Sequence, residues 1–196
     1  MHRRCSGGRV GRRVSGKTGD TPVSTFGFTI VEVLVVMVII LVLAGLVLAT
    51  SSYVHKKGAR SRAEAEIAAM SAAQENYRAD NGVYPADTSV DAKTNPDPSA
   101  YAAASLTLYK YLSGDVDNDA NRIIEATSYM SFKPNQLAPV DLTQNVTYIK
   151  DPFGNSYGYS TIYQTDSTKG YNPTFDLWST AGGTGDSGKP GWIKNW

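Results

Sequence analysis

The chain has 196 residues, with 19 Lys and Arg against 18 Asp and Glu and one cysteine, Cys5. Apart from a long apolar segment, that length holds one small domain rather than two. The net charge of +1 is uneven. Arg3, Arg4, Arg9, Arg12, Arg13 and Lys17 against Asp20 give the first 27 residues +5, so the rest carries −4. An acidic remainder argues against nucleic acid as a partner, and a lone cysteine in the leader leaves no disulfide to staple an exported domain.

No charged residue occurs from 33 to 54. A helix of about 20 apolar residues spans the roughly 30 Å hydrocarbon core of a bilayer. The basic cluster that precedes it predicts a cytoplasmic leader, with everything after Val54 on the far side. His55, Lys56 and Lys57 run mildly against that rule, but the leader cluster outweighs them. A cleaved secretory signal is the competing reading, with Val47-Leu48-Ala49 as its cut site. Its apolar region would be shorter and would not contain Glu32.

Glu32 is the chemically informative residue of this segment. A carboxylate at the start of a membrane helix is tolerated when it reaches the interface and the positive end of the helix dipole. An ionisable group within a membrane span also marks function by default, with a partner to be named.

Beyond the membrane the helical pattern continues. Ala63, Ile67, Met70, Gln74 and Tyr77 recur at steps of three and four and predict one packed stripe. Arg60 with Glu64, and Arg62 with Glu66, are i,i+4 pairs expected on the solvent side. Asn81-Gly82 is a left-handed helix stop and Pro85 prevents resumption. A helix over 28–80 is roughly 80 Å long, with Gly45 and Gly58 as its weak points.

Residues 86–98 read as a loop, 99–112 as a second helix and 113–121 as a polar turn. Four strand-like runs follow, at 122–127, 146–149, 157–163 and 175–179. Asp151-Pro152-Phe153-Gly154-Asn155 makes a tight turn between the middle two. These runs predict a small antiparallel sheet on the long helix, hence an α+β fold. The tyrosines of the domain read as core or subunit contacts.

Gly27-Phe28-Thr29-Ile30-Val31-Glu32 with the apolar run behind it resembles the N-terminus of type IV pilins and of the pseudopilins of type II secretion. Asn81-Gly82-Val83-Tyr84-Pro85 is similar to the helix exit of that superfamily. Asp151-Pro152-Phe153-Gly154-Asn155-Ser156-Tyr157, Phe175-Asp176-Leu177-Trp178-Ser179 and Trp192-Ile193-Lys194-Asn195-Trp196 resemble the major (G-type) pseudopilin. Ala49 and Thr50 stand where many pseudopilins carry a proline.

The resemblance implies a pilin-like α+β fold in four parts. These are a leader (1–27) removed by prepilin peptidase after Gly27, an assembly helix (28–54), its amphipathic continuation (55–82) and a periplasmic domain (83–196). It implies N-methylation of Phe28, and docking of Glu32 on the Phe28 amine of a neighbouring subunit. The implied partners are copies of the chain itself, minor pseudopilins, the peptidase and an inner-membrane assembly platform. The implied product is a periplasmic filament that drives export of folded proteins. A surface type IV pilus is the nearest alternative, and a membrane-anchored binding protein that never polymerises is another.

The resemblance also implies a calcium ion in the loop 180–191, with the carbonyls of Leu177 and Ser179 and the carboxylate of Asp186 as donors. Asp186 is the only acid of that loop, whereas calcium takes six to eight oxygens. A second acidic cluster, Asp115-Val116-Asp117-Asn118-Asp119, begins like an EF-hand loop. Ala120 and Ala126 occupy the positions that need Gly and Glu, so a solvated turn is expected. No Ser-His-Asp set, zinc spacing or phosphate loop can be assembled, which predicts a structural protein rather than an enzyme.

Overall fold

The computed structural model describes residues 27–119 and 122–196; the leader, 1–26, and positions 120 and 121 lie outside the described residues. The chain divides into two compact units at Leu46 and Val47. Helix α1, Ile30–Asn81, contributes to both and continues through Gly45 and Gly58.

The first unit is the apolar part of α1. Ile30–Val47 has a mean hydropathy of 3.2 and none of it is buried. A chain this apolar keeps its backbone bonds internal in lipid, where no water competes for them, and a helix satisfies that demand within one segment.

The second unit has its own core. The stripe Ala63, Ile67, Met70 and Gln74 is buried as the spacing predicts, and Tyr77 packs beside it. Gly82 ends α1 at φ +78°, with its N–H on the Arg78 carbonyl at 2.7 Å.

Two i,i+4 pairs form, Arg60–Glu64 at 3.2 Å and Arg62–Glu66 at 2.8 Å. Only the first lies in solvent. Glu66 is buried, and its carboxylate also accepts from Gln136 Nε2 (3.1 Å) and the Tyr157 hydroxyl (2.7 Å). The expectation that Glu66 faces water is corrected, since three donors offset the cost of removing the charge from water.

Helix α2, Ala102–Ser113, follows a 3₁₀ turn over Pro98–Tyr101 that is capped by Asp97, which accepts from Ser99 N at 2.9 Å. This is the predicted second helix. It buries Ala104, Leu108, Tyr109 and Leu112. Gly114 closes it at φ +82°, where a Cβ would lie 2.6 Å from the Ala126 carbonyl oxygen.

The strands are short. β1 (Leu137–Ala138) pairs antiparallel with β2 (Tyr148–Ile149). β3 (Gly158–Ser160), β4 (Asp176–Ser179) and β5 (Ile193–Lys194) form a second antiparallel sheet in that order. A bridge between Lys150 and Ser156 spans the 151–155 turn. The runs at 146–149, 157–163 and 175–179 are strands over part of their length, divided between two sheets rather than one.

The run at 122–127 is not a strand. Arg122 adopts φ +51°, and the N–H groups of Glu125 and Ala126 both reach the Gly114 carbonyl (2.9 and 3.0 Å). The segment closes over the end of α2 instead of joining a ladder. Its isoleucines stay more than half exposed, Ile123 at 58% and Ile124 at 56%.

One hydrophobic cluster joins the α1 stripe, α2 and both sheets. Trp178 is its centre, stacked on Trp192 (6.0 Å between centroids) and edge-on to Tyr101 (5.1 Å). The register sets Gly158 opposite Trp178, where a Cβ would fall 2.1 Å from the indole. Tyr101, Tyr109, Tyr157 and Tyr159 are core residues, as the sequence suggests.

Candidate functional site

At the N-terminal end, Gly27, Phe28 and Thr29 precede the helix in non-helical backbone, and Phe28 is 84% exposed. The Glu32 N–H donates to Thr29 Oγ1 at 3.2 Å, while Glu32 Oε2 accepts from the Thr29 N–H and from its hydroxyl, each at 3.3 Å. This reciprocal pair is a capping box, which satisfies two of the helix's orphan donors and sets the carboxylate at the positive end of the dipole. Sequence reasoning singled out Glu32 and missed Thr29. The signal was present as Thr-x-x-Glu before an apolar run. Gly27, Phe28 and Glu32 thus lie within six residues, at an exposed, capped helix start.

At the other end of the chain, two of the candidate calcium donors, the Leu177 carbonyl and the Asp186 carboxylate, have partners within the chain. The Leu177 carbonyl accepts from Asn195 N (3.2 Å), and Leu177 N donates to Asn195 Oδ1 (2.9 Å). Ser179 Oγ donates to Asp151 Oδ2 at 2.5 Å and accepts from Ala181 N at 3.0 Å. The Asp186 side chain is 82% exposed and pairs with Lys189 Nζ at 2.6 Å. Asp176 accepts from the N–H groups of Tyr171 and Asn172, both at 2.8 Å. Calcium takes six to eight oxygens, generally with several carboxylates, whereas this loop offers the Leu177 and Ser179 carbonyls of β4 and one exposed carboxylate, Asp186, that is already matched by an ammonium.

That buried aspartate organises the 151–155 turn. Asp151 Oδ1 accepts from Phe153 N (3.0 Å) and Asn155 N (2.8 Å), and Gly154 N returns to the Asp151 carbonyl at 3.0 Å. Burial pushes the Asp151 carboxyl above its ordinary range, against the opposing pull of these bonds. Asp176 is displaced upward for the same reason.

The acidic turn does gather carboxylates, from Asp115, Asp117 and, unforeseen in the sequence, Glu125, with ligand atoms within 4.8 Å of one another. They serve the turn itself. Asp115 accepts from the Tyr109 hydroxyl (2.7 Å) and Asn118 N (2.9 Å), and Glu125 from Val116 N (3.0 Å). His55 is exposed.

A capped apolar helix leading into a domain with small antiparallel sheets is an α+β, pilin-like arrangement. Over 80 residues the chain is 36% identical to the type II secretion system core protein G of Vibrio cholerae, a stretch that covers 38% of this chain and 55% of that protein. This supports a G-type pseudopilin-like relationship, although the chain spans only about half the length of the curated relative. No family model and no solved structure matches.

Proposed function

We propose that the chain is the major structural subunit of a type II secretion pseudopilus. The observation that carries this reading is the Ile30–Val47 helix, apolar and wholly uncovered, with Phe28 and Glu32 at its capped start. Such a surface needs lipid around it before assembly and other copies of itself afterwards. The modest identity to a core protein G supports the secretion assignment.

In this reading a prepilin peptidase cuts after Gly27 and the new Phe28 amine is methylated. The processed subunit waits in the inner membrane as a single-pass anchor with its domain in the periplasm. On assembly, Glu32 of an incoming subunit pairs with the Phe28 amine of its neighbour, and apolar burial bundles the helices. Minor pseudopilins and the membrane platform are the other partners, and the role is structural rather than catalytic.

The test is a clean deletion of the gene, assayed for culture-supernatant proteins and for surface pili. Loss of secreted enzymes with pili intact is the expected result. Intact secretion with loss of pili would move the chain to the surface pilins. No change in either would favour an anchored protein that never assembles.

A further inference from the structure

The proposed function leaves the basic residues just after the apolar run without a role. His55, Lys56, Lys57 and Arg60 follow Val54 within six residues and oppose the topology rule that the leader obeys. Lys56 and Arg60, one turn apart on α1, line a cleft of about 400 Å³ whose other walls are Phe153, Ala181, Gly182 and Gly191.

The two cations differ in kind. Arg60 is fixed, with Nη1 donating to the Gly191 carbonyl at 2.8 Å and Nε paired to Glu64 at 3.2 Å. Lys56 is exposed and, among the described residues, its ammonium has no acidic partner. A planar guanidinium and a point-charge ammonium together suit a phosphate group. The half-buried Phe153 ring and Ala181 add an apolar wall, which a free inorganic ion would not use. In sequence, the site begins two residues beyond a run fit for lipid.

We propose that the Lys56–Arg60–Phe153 cleft binds the phosphate of an anionic phospholipid. A zwitterionic lipid carries its own cation and gains less from the site. The inference rests on the membrane anchorage in the reading above and not on filament assembly, so a negative secretion assay leaves it standing.

The test is native mass spectrometry of the full chain released from non-ionic detergent micelles doped with phosphatidylglycerol or phosphatidylcholine. The wild type should retain one phosphatidylglycerol in preference to phosphatidylcholine. Lys56→Gln with Arg60→Gln should weaken that retention about tenfold, less than two full juxtamembrane charges because Glu64 already offsets Arg60. Lys56→Gln alone, which breaks no described bond, should weaken it roughly fivefold and serves if the double variant misfolds. Lys133→Gln with Lys169→Gln removes the same charge elsewhere and should change nothing. Equal retention of the two lipids, or equal weakening by the control pair, would overturn the proposal. So would inorganic phosphate alone raising the melting temperature of the wild type but not of Lys56→Gln, which would assign the cleft to a free anion.

Discussion

Glu32 has two jobs under the proposed function, and they are separable residue by residue. As a cap it closes a box with Thr29, and as a charge it meets the Phe28 amine of another copy. Thr29→Ala removes the cap and should cost about 1 kcal/mol of helix-start stability while leaving assembly in place. Glu32→Gln keeps a side chain accepted at that position of a capping box but removes the charge. It should leave processing intact and abolish filaments, as should Glu32→Ala, by immunoblot for the cleaved form and by sheared-filament yield. Equal assembly defects in Thr29→Ala and Glu32→Gln would reduce Glu32 to a cap.

Asp151 offers a second test at the same scale. Its pKa is raised in the fold, so its contribution to stability is complete below the unfolded value of 3.8 and is lost as pH rises through the folded value. Asp151→Asn keeps an acceptor for the Phe153 and Asn155 N–H groups and removes the buried charge. Thermal melts should show a flatter stability profile from mildly acidic to neutral pH, with the largest relative gain at neutral pH. These residues differ in legibility. Glu32 stands alone in an apolar run and can be read from sequence, whereas the burial of Asp151 depends on Ser179, which is 28 positions away.

Among the elements, the glycine-rich loop 180–191 is where resemblance and structure part. The resemblance implies a divalent cation there, yet the loop carries its own. Lys189 Nζ lies 2.6 Å from Asp186 and donates to the Lys93 carbonyl at 2.7 Å, with a side chain only 22% exposed. It ties the C-terminal loop to the 86–98 loop that the sequence predicts. Lys189→Met keeps most of the stem that packs toward Trp192 and deletes the ammonium. A cost near 1 kcal/mol corresponds to a fall of about 2–4 °C in melting temperature. Calcium and chelator should give the wild type the same melting temperature, and a rise of several degrees in calcium would restore the ion to the loop.

The strands show why elements near this loop were only partly legible. β-Branched or aromatic content located β2, β3 and β4, because each lies in a ladder where side-chain packing decides. The same signal failed at 122–127, where the carbonyl of Gly114, a left-handed residue with no room for a Cβ, accepts from the Glu125 and Ala126 N–H groups. β5, two residues long, owes its pairing to β4 and to Asn195 more than to its own sequence.

At the scale of the whole molecule, the first buried apolar residue among those described is Ala63, and the single core cluster runs from there to Ile193. No described residue of the apolar run belongs to that cluster. The stability of the domain should therefore be independent of the anchor, and the boundary that the sequence predicts at 54 and 55 can be tested, eight residues beyond the division at Leu46 and Val47. A chain of residues 55–196 should be soluble without detergent and melt cooperatively. Its near-ultraviolet spectrum should match that of the full chain in micelles, because Trp178, Trp192 and Trp196 contact one another within the domain or share a ring neighbour there. Its melting temperature should stay within about 2–4 °C, the shift expected for losing roughly two helical turns of weak contacts. The full chain without detergent should instead aggregate, since Ile30–Val47 then meets water along its whole surface. A truncated domain with compact secondary structure but no fixed aromatic signal would place part of the folding information in the anchor and move the boundary toward the N-terminus.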